Sequence, residues 1–335
     1  MTTPEPYFFP PLWEQRRRHI ADTLYAHKVQ SVLEVGCGEG NILSFLTMPT
    51  DDDEHPITQL AGIDIAKASL LNAKAQLLPG YMDKTEPRVD PLTIRLYHGD
   101  GTIPICGLSV DAVVCSEVIE HVYPDQVSAL TRAVFGGYRP RLAVFTTPNA
   151  EFNVNFPNLH YGTPQAMFRD ADHKFEWTRD EFQQWAQDCA GTYGYDAGFV
   201  DVGRQMRNAA AGFVACGGCT QMAVFVRRTA PEQQQQQQQQ HQDGGESCGQ
   251  PPQLLESIEY PVFSGRRMAA KQLEALVEET ARTEAMDGVF TLEQLWGRPK
   301  IQQQFKRRAA LRVWVTGSQL FSQTDHDTFC LERRR

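Results

Sequence analysis

Short apolar runs, separated by glycines and polar residues, recur through the first two-thirds of the chain. Val32, Leu33 and Val35 in "SVLEVGCGEGN" (31–41) predict a short buried strand. "LAGIDIA" (60–66), "IRLYHGD" (94–100), "DAVVCSEVIEH" (111–121) and "RLAVFTTPN" (141–149) predict four more. "TQMAVFVRR" (220–228) reads as a late strand and a candidate antiparallel edge. Helical patterns fall between them, and strands alternating with helices predict an α/β class with a doubly wound, mostly parallel sheet. The pattern stops at Pro231–Pro252, a glutamine run followed by Gly, Asp, Ser and Pro, which has almost nothing apolar to bury. Beyond it Leu273, Leu276 and Val277, and later Leu292, Leu295 and Trp296, recur at helical steps. The expected organisation is an N-terminal helical segment (1–25), an α/β domain (26–229), a disordered Gln-rich linker (230–255) and a short, partly helical C-terminal tail (256–335).

Composition narrows the function classes. A chain of 335 residues, 41 % apolar, holds one large domain and a smaller appendage. A net charge of −9 argues against a broadly basic nucleic-acid binder. Local clusters at Arg16–Arg18, Lys306–Arg308 and Arg333–Arg335 remain candidates for holding a phosphate backbone, with solvated surface charge as the ordinary alternative. The eight cysteines are scattered and no secretory signal opens the chain, so a reduced, intracellular setting is expected. No apolar run is long enough to span a membrane. Cys216 and Cys219 in "CGGC" have redox or zinc spacing but lack a second pair, and a glycine turn between strands is the preferred reading.

Candidate chemistry begins where the first strand ends. Gly36, Gly38 and Gly40 form a G-x-G-x-G turn that lets backbone approach a ligand closely. With Glu34 just ahead of it, the turn resembles the cofactor loop of class I S-adenosylmethionine (SAM) methyltransferases. Asp64, near the end of the second strand, is placed to accept the ribose hydroxyls of such a cofactor, and Asp100, ending the third, to meet its adenine amino group. An exposed strand-end aspartate is the alternative for Asp64. Ser116, at the end of the fourth strand, joins this set.

The fourth strand runs into "SEVIEHV" (116–122). Glu117, Glu120 and His121 are three and four apart, so on a helix they share one face, directed at the crevice. Two carboxylates and an imidazole suit Mg²⁺ or Mn²⁺ better than zinc. An ordinary amphipathic helix start is the competing reading, and similar endings occur in methyltransferases of small molecules. Further on, "FRDADHKFEWTRDEFQQWA" (168–186) carries Asp172, His173, Phe175, Glu176 and Trp177 ahead of a helix. His173 is a candidate to complete a metal shell from across the crevice, or else a hydrogen-bonded loop histidine.

Taken together, "SEVIEHV", "TTPNAEFN" and "DHKFEWTRDEF", in that order, resemble the small-RNA 3′-terminal 2′-O-methyltransferases of the Hua-enhancer family. The resemblance runs from "FFPPLWEQRRRHI" (8–20) to about Arg228. It implies SAM as methyl donor and one divalent metal held by Glu117, Glu120, His121 and His173, touching the 2′- and 3′-hydroxyls of the last nucleotide. A nearby histidine can accept the hydroxyl proton in such a reaction; His121 is the candidate, with a pure ligand role as its alternative. The implied substrate is single-stranded small RNA, a piRNA or an siRNA loaded on a Piwi or Argonaute protein, in the cytoplasm, germ granules included. One departure stands out: relatives usually carry Asn or His at 170 and His at 171, and here Asp170 and Ala171 replace them. Rival readings are a small-molecule O-methyltransferase and a catalytically inactive scaffold that binds SAM or RNA.

Overall fold

A computed structural model describes residues 6–48, 55–204, 214–228, 250–265 and 268–331. The chain forms two compact units. The first holds most of an eight-stranded sheet: β1 (Ser31–Val35), β2 (Gln59–Asp64), β3 (Thr93–His98), β4 (Ala112–Ser116), β5 (Leu142–Pro148), β6 (Tyr195–Val202), β7 (Thr220–Arg227) and β8 (Gln253–Glu259). Their order across the sheet is β6-β7-β5-β4-β1-β2-β3-β8. β1 pairs in parallel with β2 on one side and β4 on the other, and β4 with β5. The order reverses between β1 and β4, so a crevice opens at their carboxyl ends, where the glycine turn and "SEVIEHV" both begin.

All six strands expected from the sequence are present, with one change of place. β7 is antiparallel as expected, but it is interior, flanked by β5 and β6. The edge is β6, whose sequence YDAGFVDV lacks the continuous apolar run that marks a buried strand. Cys216 and Cys219 precede β7 in a turn through Gly217 (φ +84°), both thiols free and buried. The expected linker lies outside the described residues up to 249, but its last part does not stay linker: Gln253–Leu255 open β8. An edge strand is held by backbone bonds and needs few apolar side chains, which is why its composition resembled a linker.

β5 is buried along its whole length. Phe145 packs its ring against Phe135, Phe225 and Trp185 at centroid separations of 5.7, 5.8 and 5.3 Å. These rings join the sheet to the helical layer, a contribution of about 0.5–1.5 kcal/mol per pair beyond area burial. Helices α1 (Leu12–Ala26), α2 (Asn41–Leu46), α3 (Lys67–Leu77), α5 (Pro124–Thr131) and α6 (Arg179–Tyr193) belong to this unit, and α4 (Tyr81–Thr85) to the other. α6 starts on a capping box: Glu181 N–H donates to Thr178 Oγ1, and Thr178 N–H donates to Glu181 Oε2 at 2.8 Å. That cap fixes where the loop bearing His173 ends.

The second unit takes in 49–58, 78–93 and 258–335, so its limits differ from those drawn along the sequence. Helices α7 (Ala270–Glu284), α8 (Leu292–Trp296), α9 (Pro299–Phe305) and α10 (Arg308–Gly317) surround a core of Val277, Leu292, Leu295, Trp296, Ile301, Phe305, Leu311 and Phe329. A three-stranded sheet, β10-β11-β9 (β9 Val289–Thr291, β10 Phe321–Asp325, β11 Thr328–Leu331), closes it. Residues 87–92 join by main-chain bonds, Arg88 N–H to Pro261 O and Tyr260 N–H to Leu92 O, and by the fork of Arg307 on Asp90. Among the described residues no helix is long and apolar enough to cross a membrane.

Candidate functional site

The glycine turn is shaped from both sides. Gly36 has φ +70°, and a Cβ there would come within 2.5 Å of Val118 Cγ2, so only glycine lets the turn lie against the loop after β4. Gly38 N–H donates to Asp64 Oδ2 at 2.8 Å, and a Cβ built on Gly38 would meet only open space. Gly40 (φ +78°) leads into α2. Asp64 also accepts from Ala66 N–H, which leaves it about half of a carboxylate's roughly four acceptor positions. Glu34 is buried, with Oε2 unpartnered, and burial holds its carboxyl well above the usual carboxylate range. Open space over the turn, spare acceptors on Asp64 and an orphaned oxygen on Glu34 fit a polar cofactor such as SAM. Of the two other candidates, Asp100 Oδ1 accepts from Thr102 N–H, and Ser116 Oγ lies 2.9 Å from Thr146 Oγ1.

Glu117, Glu120 and His121 do not share a helical face. Glu117 has φ +53°, its N–H donates to Thr146 O at 3.0 Å, and the chain then makes a 3-10 turn over Ile119–His121. The bond to β5 holds Glu117 in a left-handed kink, and Pro124 keeps Tyr123 out of helical conformation, so α5 cannot extend back to it. The carboxylates are instead placed by two successive threonines of β5. Thr146 Oγ1 donates to Glu117 Oε1 at 3.0 Å and Thr147 Oγ1 to Glu120 Oε2 at 2.9 Å.

Glu120, His121 and His173 come together, each offering one ligand atom within 4.8 Å of the others. Glu117 stands outside this group and pairs with Arg16, Oε2 to Nη1 at 3.2 Å. Glu120 is fully buried and its Oε1 has no partner; burial, reinforced by the Glu117 charge, holds its carboxyl well above the usual range. A cation is the group that returns such a carboxyl to its charged form.

Both imidazoles are oriented from behind. His173 Nδ1 lies 2.6 Å from Glu176 Oε1, and His121 Nδ1 lies 3.3 Å from Asp172 Oδ2. A carboxylate accepts the hydrogen of each Nδ1, so Nε2 is the ring atom that each imidazole has to offer a metal ion. Glu176 is held in turn by Arg169 N–H at 2.7 Å and by Asn153 Nδ2, and the Arg169 guanidinium reaches Asn153 Oδ1, Cys219 O and Asn149 O. Asp170 acts within its own loop. Its Oδ1 accepts from Asp172 N–H and its carbonyl from His173 N–H, forming the turn that presents His173. The roles of Thr146, Thr147, Asn153, Arg169 and Glu176 were not read from the sequence. All five lie inside the stretches singled out in the sequence, and Thr146 and Thr147 stand out as a pair of hydroxyls in an otherwise apolar strand.

An orphaned buried carboxylate oxygen beside two carboxylate-backed imidazoles fits one divalent metal ion, which Glu120, His121 and His173 would hold. When bound, such an ion supplies Lewis-acid stabilisation to a hydroxyl that is losing its proton.

The reversed strand order above a glycine loop, with an acidic strand end beside it, defines a SAM-dependent methyltransferase of the class I fold. A family model described as a methyltransferase domain matches residues 33–136. A rat protein named Small RNA 2′-O-methyltransferase is 37% identical over 224 residues, covering 65% of this chain and 52% of its own length. A Drosophila melanogaster protein of the same name is 30% identical over 272 residues, covering 79% and 67%. The solved methyltransferase domain of bacterial CtHen1-C is 32% identical with a TM-score of 0.50, covering 65% of this chain and 100% of that one. The chain belongs to the small RNA 2′-O-methyltransferase family. It spans about half the length of the rodent relatives it matches.

Proposed function

We propose that this chain transfers a methyl group from SAM to the 2′-hydroxyl of the 3′-terminal nucleotide of small single-stranded RNAs, with one Mg²⁺ or Mn²⁺ ion, and so protects the 3′ end. The observation that carries the reading is the convergence of Glu120, His121 and His173, with a carboxylate behind each imidazole, at the carboxyl end of the sheet. A ribose hydroxyl is a poor nucleophile at neutral pH, whereas the sulfonium donor needs only an in-line approach. His121 is candidate ligand and candidate base. The two roles exclude each other on one nitrogen, and Asp172 at Nδ1 leaves Nε2 for either. Glu117 is a fourth candidate ligand once its ion pair with Arg16 opens. Delivery of the RNA by a Piwi or Argonaute protein, in the cytoplasm or in germ granules, completes the proposal; co-purification of small RNA with such a partner tests it.

The deciding experiment is incubation with labelled SAM and a synthetic short RNA. Label should enter the RNA, and the product should resist periodate because its terminal diol is gone. RNAs ending in 2′-deoxy, 3′-deoxy or 3′-phosphate should be poor acceptors. Efficient methylation of the 3′-phosphorylated RNA rules out recognition of the diol.

A further inference from the structure

Tyr123 sits two residues beyond His121 with 59% of its surface exposed. It occupies the cap position of α5 yet makes no side-chain cap bond, so a tyrosine is not there to start the helix. The start is provided by Pro124 and by Gln126, whose Oε1 accepts from Tyr123 N–H. The ring is nevertheless tied to the metal-type cluster. Lys174 Nζ lies over it, 5.7 Å from the centroid, and also donates to Asp172 Oδ1 at 2.9 Å. Asp172 holds His121, and Lys174 N–H donates to Glu120 O at 2.7 Å. An open aromatic face and a cation are thus anchored to the residues that would grip the terminal ribose.

From this we infer that Tyr123 is the stacking platform for the base of the RNA's 3′-terminal nucleotide, with Lys174 holding the ring in place and adding positive charge beside it. The inference rests on the proposed function, which sets that nucleotide's ribose at Glu120, His121 and His173. An unpaired terminal base has both faces free, and an aromatic ring accepts any base because every base presents a π-face. The platform therefore serves end recognition without sequence preference.

The test uses the full chain, Tyr123→Ala, Tyr123→Phe and three short RNAs: intact, abasic at the terminal nucleotide, and abasic at the penultimate one. Kd is measured by fluorescence anisotropy with S-adenosylhomocysteine and Mg²⁺, and KM and kcat by methyl transfer. Stacking of this kind predicts a roughly 5- to 100-fold rise in Kd and KM for Tyr123→Ala on intact RNA, with kcat little changed. Tyr123→Phe should restore wild-type values. RNA abasic at its end should bind wild type as weakly as intact RNA binds Tyr123→Ala, with no further loss when the two changes are combined. Equal losses on intact and end-abasic RNA, or sensitivity at the penultimate position instead, overturn the inference. A wild type that methylates no RNA end overturns the proposed function, and the Kd comparison then judges the stacking site by itself.

Discussion

His173 Nδ1 lies 2.6 Å from Oε1 of Glu176, a residue three positions further along the same loop. Both side chains are almost wholly buried, so the pair fixes the imidazole's tautomer and its direction at once. Glu176→Ala should therefore act like a loss of metal affinity, raising the half-saturating Mn²⁺ concentration for methyl transfer by about 10- to 100-fold. Titration with Mn²⁺ at saturating SAM and RNA checks it; an unchanged half-saturation point removes Glu176 from the site.

Alanine at Glu120, His121 or His173 should nearly abolish methyl transfer while SAM binding, followed calorimetrically, stays close to wild type. The cofactor turn and Asp64 lie on other elements and keep their own contacts. Asp64→Ala should show the reverse, weaker SAM binding offset in part by excess cofactor. Chelator should silence the wild type, with Mg²⁺ or Mn²⁺ restoring it. Chelator-resistant activity would contradict the metal reading.

Thr147 gives Glu120 the hydrogen bond to Oε2, while Oε1 has none. Thr147→Val keeps the shape and deletes the donor, leaving a buried carboxyl without a side-chain partner. The expected cost is about 1–3 kcal/mol of stability, the usual penalty for an unmet buried polar group. Urea denaturation of the metal-free protein measures it, and added Mn²⁺ should shrink the difference if the ion binds there.

Glu34 provides the pH test. Its carboxyl is raised in the folded protein, chiefly by burial, so the folded state holds a proton that the unfolded chain releases near ordinary glutamate values. Its contribution is fully present below that range and is lost as pH rises toward the folded value. The SAM-free protein should accordingly melt at lower temperature as pH rises from the ordinary glutamate range, and Glu34→Gln should flatten that slope. A mutant with the wild-type slope assigns the effect to other groups.

The glutamine run is open to a test by deletion. Residues 233–247 contain no Val, Ile, Leu, Met, Phe, Tyr or Trp. Removing them should leave methyl transfer to a short RNA within a few-fold of the full chain. Collapse of activity in a folded deletion protein would make the tract part of the catalytic unit.

Much of the methyltransferase fold was legible along the chain because a parallel sheet buried on both faces demands runs such as "AVVCS" and "LAVFTTP", and a tight turn after β1 demands glycine. The carboxylates and the His121 imidazole offered as site candidates were legible too, because they stand at or just after the ends of those strands. What the sequence could not convey is which of them meet. Glu117 is only three residues from Glu120, yet its kinked backbone and the bond to Thr146 turn it toward Arg16. His173, some fifty positions away, meets Glu120 and His121 instead. Local periodicity assumed a helix where a long-range bond to β5 imposes a kink. β6 and β8 escaped notice for a related reason, because edge strands draw their stability from backbone pairing across the sheet. The junction of residues 87–92 with a tail some 170 positions later was equally invisible, since backbone groups carry no side-chain signature of their partners. Sequence by itself determined the buried strands, the glycine turn and the chemical groups available near the strand ends. The tertiary structure alone decided the company each charged group keeps, because that depends on distances across the sheet and on burial rather than on spacing along the chain.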